Sequence, residues 1–92
     1  MKELFMKEAL ARAKLAFEKD EVPIGAVVVK NNEIIGYGQN RTIEKNSVFA
    51  HAEVEAINMA SKKEQNYRLI GCDIIRLSSL ATYAQRQLLL QE

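Results

Sequence analysis

The sequence is poor in the residues that staple very small proteins together. Cys72 is its only cysteine, so no disulfide forms within the chain. His51 is its only histidine, and there is no tryptophan. No apolar run approaches the length of a membrane span. The N-terminus is charged and amphipathic and lacks the apolar core of a secretory signal, so a cytoplasmic globular protein is expected. Neither sign of charge dominates: 13 lysines and arginines stand against 12 acids, a net +1. That balance does not advertise a nucleic-acid binder, though it leaves room for a local patch. Repeats, low-complexity tracts and linkers are absent as well. The 92 residues suffice for one small domain. A chain this short buries little of its surface and is marginal without a metal or a partner subunit.

Local patterns give the order of elements. Residues 2–20 read as an amphipathic helix, with apolar Phe5, Ala9, Ala13, Ala16 and Phe17 set against Lys7, Arg12, Lys14 and Glu18. Pro23, the single proline, blocks its continuation. Ile24–Val29 is a run rich in β-branched residues and reads as a buried strand. Lys30-Asn31-Asn32-Glu33 is a turn signal, and Ile34–Gly38 is the returning strand of a hairpin. Asn40–Ser47 is a polar loop. Ala50–Lys62 reads as a second helix with Ala52, Ala56, Ile57 and Ala60 on its apolar side. Cys72–Leu77 reads as a third strand, and residues 81–91 pattern as a final helix. The order α-β-β-α-β-(α) suits an α/β sheet covered by helices.

The sharpest local feature is His51-Ala52-Glu53 at the start of the second helix. Two residues apart, a His and a Glu face different directions, one toward a metal and the other toward its bound water. Alone the pattern is weak: a helix N-terminus welcomes a glutamate against its dipole, and the histidine is then merely half-buried. Its surroundings narrow the reading. Residues 20–29 are Asp-Glu-Val-Pro-Ile-Gly-Ala-Val-Val-Val; Asn-Asn-Glu-Ile-Ile-Gly, Gly38-Gln39-Asn40-Arg41 and Ala50-His51-Ala52-Glu53 follow. Asn58, Asn66-Tyr67-Arg68-Leu69 and Gly71-Cys72-Asp73 complete the set. Over about residues 2–74 the chain resembles the bacterial tRNA-specific adenosine deaminases, within the cytidine/deoxycytidylate deaminase superfamily.

That resemblance implies a truncated cytidine-deaminase-like three-layer α-β-α fold and hydrolytic deamination of tRNA wobble adenosine to inosine. It also implies zinc as cofactor, tRNA as partner and a homodimer. By position, His51 resembles the zinc ligand. Glu53 resembles the general acid/base that moves the proton of the metal-bound water and is not itself a ligand. Gly25 and Ala26 match the strand lining the base pocket, and Asn40 matches the asparagine that contacts the flipped base. On local grounds alone Gly25 is a packing glycine and Asn40 a turn residue. Ser47-Val48-Phe49 replaces the Asp-Pro-Thr usual before A-H-A-E.

The match breaks after Asp73. The family continues roughly as I-Y-x-T-L-E-P-C-x-x-C-A, with the two remaining zinc cysteines. This chain reads Ile74-Ile75-Arg76-Leu77-Ser78-Ser79-Leu80-Ala81-Thr82-Tyr83-Ala84-Gln85. Cys72 precedes the motif and reads as a small buried residue. Taking the third base of each codon with the first two of the next permits Y-x-T-L-E-P-C-x-x-C-A. This points to a one-base deletion near the codons for Ile74-Ile75 and an out-of-frame tail from Ile75 to Glu92. On this reading residues 1–74 form the N-terminal part of a deaminase-like domain and residues 75–92 a non-family tail whose helix is an accident of composition. The expected chain holds no zinc, is inactive in isolation, leaves its third strand as a raw edge and folds poorly. Three alternatives stand beside it. One is a metal-free pseudo-subunit that pairs with an intact deaminase or holds RNA. Another is the remnant of a deaminase of free cytosine, cytidine or guanine. The third is an unrelated small α/β domain.

Overall fold

A computed structural model describes residues 2–43, 51–66 and 68–78. The elements are α1 (Lys2–Glu18), β1 (Ile24–Lys30), β2 (Glu33–Gln39), α2 (Ala52–Glu64) and β3 (Asp73–Ser78). The sheet runs β2-β1-β3, with β1 antiparallel to both neighbours. Helix α1 covers one face and α2 the other, giving three layers. Among the described residues, β2 and β3 are the sheet edges.

Strand β1 is central and buried on both faces, which explains its unbroken apolar run. Its side chains alternate. Val27 and Val29 join Phe5 and Ala9 beneath α1. Ala26 and Val28 join Ile35, Ala52, Ala56 and Ala60 beneath α2. Val27 and Val28 are fully buried, and each contributes about 1.5–3 kcal/mol of hydrophobic stabilisation. The β1–β2 turn places Asn31 and Asn32 at φ 52° and 60°, the doubly left-handed turn that matches strand twist.

Both helices approach the sheet through alanines. Ala9, Ala13 and Ala16 recur at helical spacing on α1, and Ala52, Ala56 and Ala60 on α2; all six are fully buried. Glycines sit opposite them. A Cβ on Gly36 would lie 2.2 Å from the Ala56 carbonyl oxygen, and one on Gly38 would lie 2.3 Å from that of Ala52. The backbone of α2 therefore rests almost directly on β2.

The element bounds shift slightly from the sequence reading. Helix α1 stops at Glu18 because Asp20 turns to φ 62° ahead of Pro23. Helix α2 begins at Ala52 and runs to Glu64, where Gln65 closes it in the left-handed region. β3 is displaced by one residue from the expected Cys72–Leu77. It carries Ile75–Ser78 of the segment expected to lie outside the family, and Ile75 and Leu77 pack against the cluster under α1. Ala50, residues 44–47 of the polar loop and the tail helix expected at 81–91 lie outside the described residues.

Candidate functional site

The site residues gather where β1 begins, β2 ends and α2 starts. His51 is the residue before α2, with extended backbone at φ −84° and ψ 154°. Its carbonyl accepts the Glu55 N–H at 3.0 Å, but its side chain caps nothing and is exposed. The cap comes from elsewhere. Asn40, 4% exposed, accepts the Ala52 N–H on its Oδ1 at 2.9 Å. One of the orphan donors of the helix start is thereby satisfied by a residue beyond the end of β2. The Asn40 N–H in turn donates to the Ile24 carbonyl at 3.1 Å, which ties the segment to β1.

Glu53 lies in the first turn of α2, where the helix dipole favours its charge. Its Oε2 lies 2.8 Å from the Nε of Arg76 on β3, an ion pair between helix and strand. Arg76 is opposite Ala26 in the register, so both belong to the α2 face of the sheet. His51, Glu53, Asn40 and Ala26 are thus brought to one end of that face. Gly25 looks the other way: a Cβ there would lie 2.0 Å from the Ala9 carbonyl oxygen, on the α1 side. Its lack of a side chain is required by the helix, and any contact with a base would come from its backbone.

Two neighbours of these residues stand out only in the structure. Glu21, 3% exposed, accepts from Thr42 Oγ1 at 3.2 Å and from the Ile43 N–H at 3.1 Å. This buried carboxylate fastens the segment after Asn40 to the end of α1. No local pattern marks it. Arg76 was the other; its alternation with Ile74 on the α2 face was the only available signal.

A catalytic zinc requires three protein ligands and an open position. Among the described residues, no three His, Cys, Asp or Glu side chains converge as a metal site. Cys72 is four residues from Arg76, about 13 Å along an extended strand. It packs instead on the alanine cluster under α2, with Sγ 3.9 Å from the Ile70 carbonyl oxygen. The cation beside Glu53 is the Arg76 guanidinium, which repels a metal ion. The described residues do not fit zinc.

A helix–hairpin–helix–strand arrangement with His-x-Glu opening the second helix, and an asparagine bonded to that opening, defines the front of a nucleobase-deaminase domain. The chain belongs to the cytidine and deoxycytidylate deaminases: the family's zinc-binding region matches residues 1–80. It is 50% identical over 66 residues to a tRNA-specific adenosine deaminase of Streptococcus pyogenes, covering 72% of this chain and 42% of the relative. It is 47% identical over 73 residues to that of Aquifex aeolicus, covering 79% and 48%. Among solved structures it is similar to one from a study of A-to-I editing by tRNA:A34 deaminases at the wobble position of tRNA. That likeness has a TM-score of 0.79 and 45% identity, over 82% of this chain and 58% of the other. A guanine deaminase from Bacillus subtilis gives a TM-score of 0.75 and 39% identity, over 80% and 48%. The chain spans less than half the length of the curated relatives it matches.

Proposed function

We propose that this chain carries one side of the active site of a hydrolytic tRNA adenosine deaminase, the kind that converts wobble adenosine to inosine and releases ammonia. The observation that carries the reading is the joint placement of His51, Glu53 and Asn40 at the start of α2. Glu53 is the proton carrier between the attacking water and the leaving amine. Asn40, with Ala26 and the backbone of Gly25, holds the base. His51 is the one metal-binding side chain.

These 92 residues by themselves do not turn over. One histidine is too weak a donor set to hold zinc, the family's cofactor, and Arg76 occupies the carboxylate that would handle the proton. Residues 75–92 are proposed to be read out of frame. Sequencing the coding DNA from the codon for Asp73 onward tests this: a shifted frame that spells Pro-Cys-x-x-Cys supports it, and any other spelling overturns it. For activity, the purified chain is dialysed against zinc and analysed for bound metal. It is then incubated with a tRNA anticodon stem-loop carrying adenosine at the wobble position. No stoichiometric zinc and no inosine are expected. Inosine formed by the parent chain and abolished in Glu53→Gln would overturn the inactive reading.

One observation favours a second reading, a metal-free module that binds RNA or an intact deaminase. Ile75–Ser78 pair in register with β1, and Ile75 and Leu77 pack against the cluster under α1. A strand that fits this well is compatible with a segment retained for its own sake.

A further inference from the structure

The exposed edge of β2 carries a cleft that belongs to none of the roles above. Its volume is about 200 Å³, and Arg12, Lys19, Tyr37, Gln39, Arg41 and Glu55 account for its polar lining. The register explains how it forms. Tyr37 and Gln39 are opposite Val27 and Gly25, so they face α1. Arg12 comes from α1 itself, and Lys19 from the turn that follows it. Arg41 follows β2 and meets Glu55 of α2. The cleft therefore wraps the strand edge from both faces. It carries three cationic side chains and one carboxylate, in a chain whose overall charge is only +1.

The two arginines are set in place. The Arg12 guanidinium lies 3.6 Å from the centre of the Tyr37 ring, and its Nε donates to Glu8 Oε1 at 3.1 Å. A guanidinium has five N–H donors, so this bond orients Arg12 without exhausting it. Arg41 Nη1 lies 3.6 Å from Glu55 Oε1. A planar guanidinium held beside an aromatic ring, as Arg12 is, with a second one at Arg41, suits the phosphate oxygens of a single strand. The cleft also adjoins the candidate base site: Gln39 and Arg41 flank Asn40, whose side chain starts α2.

We propose that this cleft binds a backbone phosphate of single-stranded RNA next to the nucleotide presented to the site. The choice of RNA among phosphate-bearing ligands rests on the proposed function; the affinity of the cleft for a phosphodiester does not.

Fluorescence anisotropy of a labelled oligouridine with the full chain, across a series of salt concentrations, tests it. Oligouridine offers no adenosine, so binding is read even if the deaminase reading fails. Arg41→Gln and Arg12→Gln are each expected to weaken binding about 3- to 10-fold. Each should also lower the salt dependence by about 0.7 in log–log slope, the value for one phosphate contact with a single strand. Arg41→Lys is expected to restore part of the loss. Lys63→Gln removes the same charge on the outer part of α2, beside Glu33, and is expected to leave binding unchanged. Far-UV circular dichroism confirms that each variant keeps the parent fold. Equal weakening by Lys63→Gln would mean attraction to net charge alone and would overturn the proposal. Displacement of the RNA by inorganic phosphate at equal phosphate concentration would assign the cleft to small phosphates and would overturn it too.

Discussion

The Nε of Arg76 on β3 lies 2.8 Å from Oε2 of Glu53 on α2, and this ion pair bridges two elements that otherwise barely meet. Helix α2 is seated over β2 and β1, and among the described residues it leaves β3 largely uncovered on that face. The two side chains are 51% and 36% exposed, and solvent screens most of their attraction. A double-mutant cycle of Glu53→Gln and Arg76→Gln, read from urea unfolding, is expected to give a coupling of about 0.2–1 kcal/mol. A coupling of zero would show that the pair does not hold α2 to β3 in solution.

Asn40 has a structural duty separable from its proposed contact with a base. Asn40→Ala leaves the buried Ala52 N–H without its acceptor, at a cost of about 1–3 kcal/mol. Asn40→Asp keeps the acceptor oxygen and adds a charge that the helix N-terminus favours, so it is expected to recover most of that stability. Hydrogen exchange at the Ala52–Ala56 amides is the readout. Fast exchange in the alanine variant and slow exchange in the aspartate variant is the expected pattern. Equal protection in both would mean that the Asn40 bond does not hold the helix start.

Legibility in the sequence followed the range of the interaction. The buried strand at Val27 and Val28 was readable because β-branched side chains cluster there. The hairpin was readable from Asn31-Asn32, and the two alanine faces from their helical spacing. The local pattern starts α2 two residues early, because the Ala52 N–H is satisfied by Asn40, twelve residues upstream, and not by a neighbour. His-x-Glu was visible as a motif. The partner of Glu53 was not, because Arg76 reaches it only through the pairing of β3 with β1. Gly25 matches the strand that lines the base pocket, and the sequence does not show that its missing side chain makes room for α1. Register and cross-element contacts depend on the whole fold, and a single sequence does not display them.

The glycines of β2 are expected to be intolerant of a methyl group. In Gly36→Ala and Gly38→Ala the new Cβ would meet the carbonyl oxygens of Ala56 and Ala52, which are backbone atoms that move only with α2. Overpacking of this kind costs about 1–3 kcal/mol, and more where the helix cannot shift. Gly71→Ala is the control: its Cβ would meet nothing among the described residues, and its φ of 73° opposes the change, at about 1 kcal/mol. Thermal unfolding of the three variants should rank Gly71→Ala as the mildest. The reverse order would mean that α2 does not lie this close to β2.

The far end of α2 supplies a pH test. Lys30, at the end of β1, forms a salt bridge with Glu64, at the end of α2. The hydrogen bond to Glu64, and then its charge, raise the Lys30 ammonium above its ordinary 10.5. A raised value in the folded state means that the folded chain holds this proton more tightly than the unfolded chain does. The contribution to stability is therefore complete below pH 10.5 and is lost as pH rises through the folded-state value. Glu64→Gln removes the charge and weakens the bond, so parent and variant should differ at neutral pH and converge in strong alkali. Urea midpoints across that range give the difference, and an NMR titration of the Lys30 side chain gives the shift directly. A difference that grows with alkalinity would have the wrong sign and would rule out the Lys30–Glu64 pair as its source.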